Sequence, residues 1–288
     1  MRRIVTGLVG LLLLSQVGTG RPRKDVAHGS GNDELTFELV SGYLVIVDGS
    51  IGPLQGLRFV LDTGATHTAV SNKIADQLEL QCVTGNVFNF DKVVNTDWAV
   101  IPAVQVGPIR ASQVPAMITN LDYFKSLGTH VDAVLGLDLL RQKNFSIDFA
   151  EKKVRFGQME VGKHSTRLLA DDMALHVEAE ANGRLIQLIV DTGAPGPMMY
   201  EERLKNRAVA YSAEEENYAY RLDGVLRLTR GRVRRLTLGG RDIESRVFLT
   251  HSPAKGTLDG VDGFLGLTAL KARQINFDFG TNTLSWSN

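Results

Sequence analysis

The stretch FVLDTGATHTAVS, residues 59–71, runs from three apolar residues into Asp62 and then into a small, polar turn. The apolar run predicts a buried strand, so the Asp62 carboxylate stands at the end of a strand inside the protein. An ionised carboxylate is costly to bury unless it is paired or hydrogen-bonded, and folds place one there mainly where its chemistry needs a dry site. The sequence therefore leads us to expect a second acid that completes the site.

A second copy of this stretch lies in the same chain. Residues 188–200 read LIVDTGAPGPMMY and repeat the apolar run and the Asp-Thr-Gly-Ala turn, with Asp191 in place of Asp62. Each copy is followed by a matching block, DAVLGLDLL around Gly136 and DGFLGLTAL around Gly266, which lie 74 and 75 positions after the respective aspartates. The chain is therefore predicted to contain a tandem duplication.

The duplication continues at the end of each copy. NFSIDFAEKKVRF, residues 144–156, and INFDFGTNTLSW, residues 275–286, each predict two strands around a polar turn. Each unit has about the size of one domain. We expect five segments: a signal peptide at 1–20, a short N-terminal segment at 21–34, a first lobe at 35–157, a linker at 158–170 and a second lobe at 171–288.

The predicted fold is all-β. Short apolar strands alternate with turn signals, and only brief helical stretches follow the motifs, which disfavours a parallel α/β architecture. We expect two homologous, barrel-like lobes related by a pseudo-twofold axis, with the active site between them.

Composition excludes several classes of function. Lysine plus arginine equal aspartate plus glutamate at 32 each, so the net charge favours no nucleic acid partner. The arginine-rich stretch from Arg227 to Arg246 could form an acidic-substrate patch or the solvated face of a strand. The single cysteine, Cys82, can form no intrachain disulfide, and the six histidines show no metal-ligand spacing, so no metal or cofactor is expected.

The first twenty residues, MRRIVTGLVGLLLLSQVGTG, have two arginines, an apolar core and small residues suited to cleavage. This pattern predicts a secretory signal and export to the periplasm or medium. The alternative is an uncleaved membrane anchor, since the basic RPRK that follows resists translocation. No stable membrane insertion is expected unless the segment is retained.

Two aspartates at one axis would form an acid and a base. If Asp62 and Asp191 face each other, they share one proton, because two carboxylates that close do not both ionise readily. The ionised member can take a proton from water while the protonated member donates to a carbonyl oxygen. Gly64 and Gly193 allow the tight turns, and the hydroxyls of Thr63 and Thr192 could tie the two turns together.

The repeated Asp-Thr-Gly-Ala and the later apolar-apolar-Gly block resemble the aspartic peptidases of the retropepsin-like group. The resemblance covers most of the chain, twice, and implies that Asp62 and Asp191 are the catalytic pair. It also implies that the blocks around Gly136 and Gly266 brace the active-site turns. Retropepsins join two identical chains, whereas this chain looks like a fused pair, so we expect a monomer that acts on a peptide or protein substrate without a cofactor.

The chain departs from the pepsin-like pattern in three places. Ala65 and Ala194 replace the usual Ser or Thr, and losing that hydroxyl should raise the pKa values of the aspartate pair and shift activity toward mildly acidic or neutral pH. Pro195-Gly196-Pro197 follows the second motif, so the two halves of the site should differ. Residues 21–34 are too few for a long pepsin-type propeptide.

Each half should also supply a hairpin over the cleft. The candidates are residues 84–94 and 217–228, in which Phe88, Phe90, Tyr218 and Tyr220 could line subsites or instead lie in the core. The sequence thus predicts an exported aspartic endopeptidase. The alternative is a non-catalytic peptide-binding or inhibitory protein with the same bilobal fold.

Overall fold

A computed structural model describes residues 23–24, 33–89, 92–171, 173–221, 224–251, 253 and 258–288. The predicted signal peptide at 1–20, most of the 21–34 segment and Phe90 lie outside the described residues. Strands dominate the described part and its helices are short, so the prediction of an all-β fold is confirmed. Within this part, no helix has the length and apolar character needed to cross a membrane.

The strands of the first half carry both the first motif and its bracing block. They are β1 (Arg23–Lys24), β2 (Glu34–Thr36), β3 (Glu38–Val40), β4 (Leu44–Ile51), β5 (Leu54–Leu61), β6 (Ala69–Ser71), β7 (Val83–Asn89), β8 (Lys92–Val106), β9 (Ile109–Thr119), β10 (Ala133–Leu135), β11 (Phe145–Asp148) and β12 (Lys153–Phe156).

The strands of the second half are β13 (His164–Arg167), β14 (Leu169–Ala170), β15 (Leu175–Ala181), β16 (Arg184–Asp191), β17 (Met198–Tyr200), β18 (Tyr211–Arg221), β19 (Gly224–Val233), β20 (Leu236–Leu238), β21 (Arg241–Asp242), β22 (Arg246–Thr250), β23 (Gly263–Gly266), β24 (Gln274–Asp278) and β25 (Thr283–Ser287). The helices are α1 (Asn72–Gln77), α2 (Leu137–Leu140), α3 (Glu201–Asn206) and two 3₁₀ helices, Asp122–Leu127 and Leu267–Leu270.

The two motif strands hold the same place in their sheets. The first sheet contains the order β9-β6-β10-β5-β4, and the second contains β22-β17-β23-β16-β15. In each half the strand of the glycine block runs parallel to the motif strand, β10 beside β5 and β23 beside β16. Each motif strand therefore lies between one parallel and one antiparallel strand, and its aspartate stands at the end of that strand.

A third sheet joins the halves. Its six strands run in the order β13-β25-β24-β11-β12-β2, and the two repeated hairpins meet where β11 pairs with β24. At that seam Phe145 stacks on Phe277 with ring centroids 4.6 Å apart, and neither side chain is exposed. Burial of each such ring contributes about 1.5–3 kcal/mol, so the seam holds the halves in one register.

In each half, the alternation of side chains along the motif strand places the aspartate on the face opposite the shared core. Phe59 and Leu61 point into a large core shared by both halves, whereas Val60 points into a smaller cluster with Ala65, Trp98 and Phe124, which we name the first inner cluster. Because strand side chains alternate, Asp62 follows Val60 onto that face.

The second half repeats this arrangement. Leu188 and Val190 join the shared core, and Ile189 joins a cluster with Met198, Leu226 and Phe264, which we name the second inner cluster. Asp191 follows Ile189 onto that face.

Two features differ from the sequence predictions. The segment 158–170, predicted as a linker, contains β13 and β14, which pair with β25 and β15. The sequence pattern also did not predict α3 or the 3₁₀ helix Asp122–Leu127. Strands and helices this short bury too few residues to show a period in the sequence.

Candidate active site

The two aspartates lie at the ends of β5 and β16 and are almost completely buried, with 1% of Asp62 and none of Asp191 exposed. The glycine blocks brace their turns: Asp62 N–H donates to Leu135 O at 3.1 Å, and Asp191 pairs with Gly266 in the parallel ladder. A Cβ on Gly136 would lie 2.5 Å from the carbonyl carbon of His67. Only glycine fits such an approach.

Each carboxyl is held by its own turn and touches the other one. Gly64 N–H donates to Asp62 Oδ1 and Gly193 N–H to Asp191 Oδ1, both at 2.8 Å. A Cβ on Gly64 would lie 2.6 Å from Asp191 Cγ, and one on Gly193 would lie 2.8 Å from Asp62 Oδ2. The missing Cβ atoms thus leave room for the opposite carboxyl. Asp62 and Asp191 are close enough to share a hydrogen bond.

The threonines of the two turns interlock through hydrogen bonds between the two halves. Thr63 N–H donates to Thr192 Oγ1 at 3.0 Å and Thr192 N–H donates to Thr63 Oγ1 at 3.1 Å. Each hydroxyl in turn donates to a carbonyl of the other half, Thr63 to Val190 O at 2.8 Å and Thr192 to Leu61 O at 2.6 Å. These four hydrogen bonds fix the separation of the two carboxyls.

Burial and mutual contact favour one retained proton on the pair. Burial, and then the Asp191 charge, raises the pKa of Asp62 well above its usual range. Burial also raises the pKa of Asp191, to about 6, and the hydrogen bond from Asp62 opposes that rise. No N–H or O–H of the described residues donates to Asp191 Oδ2, although this atom is buried. A proton shared with Asp62 would satisfy it.

We expect Thr63→Val and Thr192→Val to destabilise the protein equally. Either change leaves a buried N–H and a buried C=O of the other half without their hydrogen-bond partner. Each unpaired group lowers the free energy of unfolding by about 1–3 kcal/mol. Urea unfolding should show a loss of about 2–4 kcal/mol for each variant.

The control for this prediction is Thr84→Val at the exposed start of β7, where the hydroxyl donates to Asp97 at 3.3 Å. Its loss should stay within about 0.5 kcal/mol. Equal stability of all three variants would show that the threonine interlock does not hold the halves together.

The predicted flaps are hairpins in the described part of the structure, and the two aromatic side chains described there, Phe88 and Tyr218, differ in position. In the β7–β8 hairpin, Phe88 is buried in the second inner cluster, so the first half reaches across the cleft. In the β18–β19 hairpin, Tyr218 does not line the cleft: it lies on the opposite face from the buried Asn217 and Ala219, and its hydroxyl lies 3.5 Å from Glu216. The strand of Tyr220 is described, but its side chain is not.

One residue near the site was missed by the sequence reasoning. Tyr123, on the 3₁₀ helix Asp122–Leu127, packs against the first inner cluster, and its buried hydroxyl has no hydrogen-bond partner among the described residues. Burial and then the Asp62 charge raise the pKa of Tyr123 well above 10, so it stays a neutral donor. The corresponding segment of the second half, between His251 and Gly260, has no aromatic residue. This difference between the two halves is the sequence feature that could have identified Tyr123.

We expect Tyr123→Phe to leave the free energy of unfolding unchanged or to raise it by about 1 kcal/mol, because it removes an unpartnered buried hydroxyl. We also expect a higher KM for peptide hydrolysis, since a bound peptide offers carbonyl oxygens to that hydroxyl. Urea unfolding and steady-state kinetics on one preparation test both. A destabilised variant with normal KM would show that the hydroxyl is a structural group.

Several arginines of the arginine-rich stretch form ion pairs with acids in the structure. Arg230 contacts Glu215 at 2.8 Å, Arg235 contacts Asp242 at 2.6 Å, and Arg227 contacts Glu216. These contacts match the solvated strand face rather than a patch for an acidic partner. Among the residues that the structure describes, no three His, Cys, Asp or Glu side chains form a metal-binding group.

Comparison with known proteins agrees with this geometry. Residues 47–142 match the family model described as "gag-polyprotein putative aspartyl protease". The matched range runs from β4 through Asp62 and Gly136 to the end of α2. A search of curated proteins returned no match. Residues 47–142, a third of the chain, are thus similar to the retropepsin-like aspartyl proteases of clan AA.

Proposed function

We propose that the protein is an exported aspartic endopeptidase that hydrolyses peptide bonds with a water molecule activated between Asp62 and Asp191. The observation that carries the proposal is the close approach of two buried carboxyls, each held by the N–H of its own turn glycine and lying against the glycine of the other turn. A solvated turn at a strand end would need neither the contact nor the burial.

The pair starts with one proton, because burial raises the pKa values of both carboxyls. The ionised carboxyl takes a proton from water while the oxygen of that water attacks the peptide carbonyl carbon, and the protonated carboxyl gives its proton to the carbonyl oxygen. The tetrahedral diol then collapses: a diol hydroxyl returns its proton to the carboxylate that had protonated the carbonyl oxygen, the C–N bond breaks, and the amine leaves with the proton that the other carboxyl took from water. The pair again holds one proton and is ready for another turnover.

The alternative of a non-catalytic binding protein rested on the unusual segment after Asp191. In the structure, Pro195-Gly196-Pro197 leaves the second turn unchanged, since Gly193 N–H donates to Asp191 Oδ1 at the same 2.8 Å as in the first turn. No geometric defect in the second half favours the loss of catalysis.

A peptide-library digest tests the proposal. We expect internal cleavage between pH 4 and 8 that a statine-containing peptide blocks, because the statine hydroxyl mimics the tetrahedral diol. Hydroxylamine should trap no acyl product, since water attacks directly. Cleavage that ignores statine and yields hydroxamates would point to a nucleophilic mechanism and overturn the proposal.

Export is a separate part of the proposal and rests on residues 1–20. Mass spectrometry of the protein from its producing cell should find a mature N-terminus close to residue 21. A retained N-terminus in the membrane fraction would support the anchor instead.

A further inference from the structure

The first active-site turn is tied to the second half by a hydroxyl group. Thr66, four residues after the motif aspartate, donates from Oγ1 to Met173 O at 2.6 Å, and only 4% of Thr66 is exposed. Arg141, at the end of α2, donates to Ala174 O at 2.9 Å and to Asp171 O. We name Asp171, Met173 and Ala174 the strap, because they lie between β14 and β15 and accept hydrogen bonds from the first half.

The second active-site turn has no such tie to the other half. Pro195 lies four residues after Asp191 and is therefore the counterpart of Thr66, but it has no hydroxyl to donate. Its carbonyl oxygen accepts the hydroxyl of Thr268, which belongs to the same half. The second turn is thus held within its own half, whereas the first is also held by the strap.

The strap is closed by its own aspartate. Asp171 Oδ1 accepts the N–H groups of Met173 at 2.7 Å and Ala174 at 2.8 Å, and Asp171 Oδ2 lies 2.9 Å from His176 Nε2. Burial opposes ionisation of Asp171, but the two N–H groups and the His176 ring outweigh it and hold the pKa of Asp171 below its usual value. Because an ionised carboxylate only accepts, the ring carries a proton on Nε2 and donates it.

His176 occupies a position that is apolar in the first half. It pairs with Ile189 in the β15–β16 ladder, and Ile46 pairs with Val60 in the β4–β5 ladder. Each of these partners lies two positions before the motif aspartate of its half. His176 is therefore the counterpart of Ile46, which belongs to the first inner cluster.

The imidazole ring is an expensive group to place there. Only 8% of His176 is exposed, and its Nδ1 is buried with no hydrogen-bond partner among the described residues. An unpartnered buried nitrogen destabilises a fold, and an isoleucine would avoid it. What the ring adds is the hydrogen bond that fixes the carboxylate of Asp171.

We propose that the strap positions the first active-site turn, with His176 and Thr66 as positioning residues at its two ends. His176 fixes the aspartate that closes the strap, and Thr66 transmits the constraint to the turn that carries Asp62. The proposal rests on the proposed function, because it assumes that the place of the Asp62 carboxyl decides the rate of peptide hydrolysis. A displacement of about 1 Å can lower a rate by about 100-fold. A loosened turn should therefore lower kcat.

Two substitutions of His176 test the closure of the strap. His176→Ile installs the residue of the counterpart and removes the donor, whereas His176→Gln keeps an N–H donor the same number of bonds from Cα. We expect His176→Ile to lower kcat at least about 5-fold, with KM within about 2-fold and the free energy of unfolding unchanged or higher. His176→Gln should keep kcat within about 2-fold of the wild type. A destabilised His176→Ile whose folded fraction keeps its kcat would show that the ring is only structural and would overturn the proposal.

Substitutions of Thr66 test the other end. Thr66→Val removes the hydroxyl and should lower kcat at least about 5-fold, whereas Thr66→Ser keeps the hydroxyl and should keep the rate. The double variant Thr66→Val/His176→Ile should be no slower than Thr66→Val alone, because the closure acts only through this link. Losses that multiply in the double variant would show that the two residues act separately and would overturn the proposal.

Hydrogen exchange tests the strap without requiring turnover. The N–H groups of Leu137 and Asp138 donate to carbonyl oxygens of the first turn and the residue after it, Ala65 and Thr66, at 2.8 and 3.1 Å. The Gly266 N–H makes the corresponding contact in the second half, at 3.3 Å. By NMR, His176→Ile should speed exchange at Leu137 and Asp138 at least about 10-fold and leave Gly266 unchanged. His176→Gln should change none of the three.

The outcomes separate the strap from the peptidase. Faster exchange at Leu137 and Asp138 in His176→Ile, in a protein whose wild type cleaves no peptide, would leave the strap standing and overturn the proposed function. Unchanged exchange in His176→Ile, or equal losses of kcat in His176→Ile and His176→Gln, would overturn the strap and leave the peptidase intact. Urea unfolding verifies that each variant is folded.

Discussion

Asp62→Asn and Asp191→Asn should each reduce kcat/KM for peptide hydrolysis by at least about 10³-fold, because groups that act as one unit lose nearly all activity together. An amide has the shape of the carboxyl but cannot exchange a proton with water or with the carbonyl oxygen. The change therefore tests chemistry rather than packing. Assays with a peptide from the library digest, followed by mass spectrometry, give the rates.

Asp132→Asn is the matched control. Asp132 is also a buried aspartate of the first half, but it accepts the Arg58 N–H at 3.0 Å, away from the pair of motif aspartates. Its variant should lose stability by about the free energy of one hydrogen bond, yet its folded fraction should keep its turnover. A substantial rate in either motif variant would rule out the aspartate pair.

The second large effect is on pH dependence. Activity requires one proton on the pair, so it should rise with pH as the pair loses its first proton and fall as it loses its second. Burial moves both steps above the usual carboxyl range, since it raises the pKa of Asp62 and raises that of Asp191 to about 6. We expect a bell-shaped profile of kcat/KM with its optimum above pH 6. A profile whose rise and fall both lie below pH 5 would contradict the conclusion that burial raises the pKa values of the pair.

The same shifts affect stability with a definite sign. Both carboxyls have higher pKa values in the folded chain than in the unfolded one, so the native state holds the extra protons, and stability falls as pH rises through the folded pKa values. Replacing Asp191 by Asn removes this penalty. The gain should be on the order of 3 kcal/mol at pH 8 and close to zero at pH 4. Urea unfolding at both pH values measures it.

The sequence predicted the two Asp-Thr-Gly turns because each turn is built from residues that are adjacent in the sequence. The repeated Asp-Thr-Gly places the carboxyl, the glycine N–H and the threonine hydroxyl within three residues of one strand end. Duplication then implies that two such ends meet. Thr63 and Thr192 lie where that reasoning put them, and their hydrogen bonds involve only the turns and the ends of the motif strands.

The parts that the sequence did not predict depend on register between distant strands. The sequence predicts a subsite role for Tyr218 because it is an aromatic residue of a hairpin, but the two-residue alternation that buries Asn217 and Ala219 places it on the opposite face. Tyr123 comes from a short helix with no motif.

The central claim is that one chain completes its own active site. The most direct measurement is to mix the Asp62→Asn and Asp191→Asn chains, after joint unfolding and refolding, and to assay peptide hydrolysis. Since the two turns interlock within one chain, every chain in the mixture carries a broken pair, and the account predicts no recovery of activity. Recovery in proportion to the product of the two concentrations would show that the site forms between chains and would contradict it.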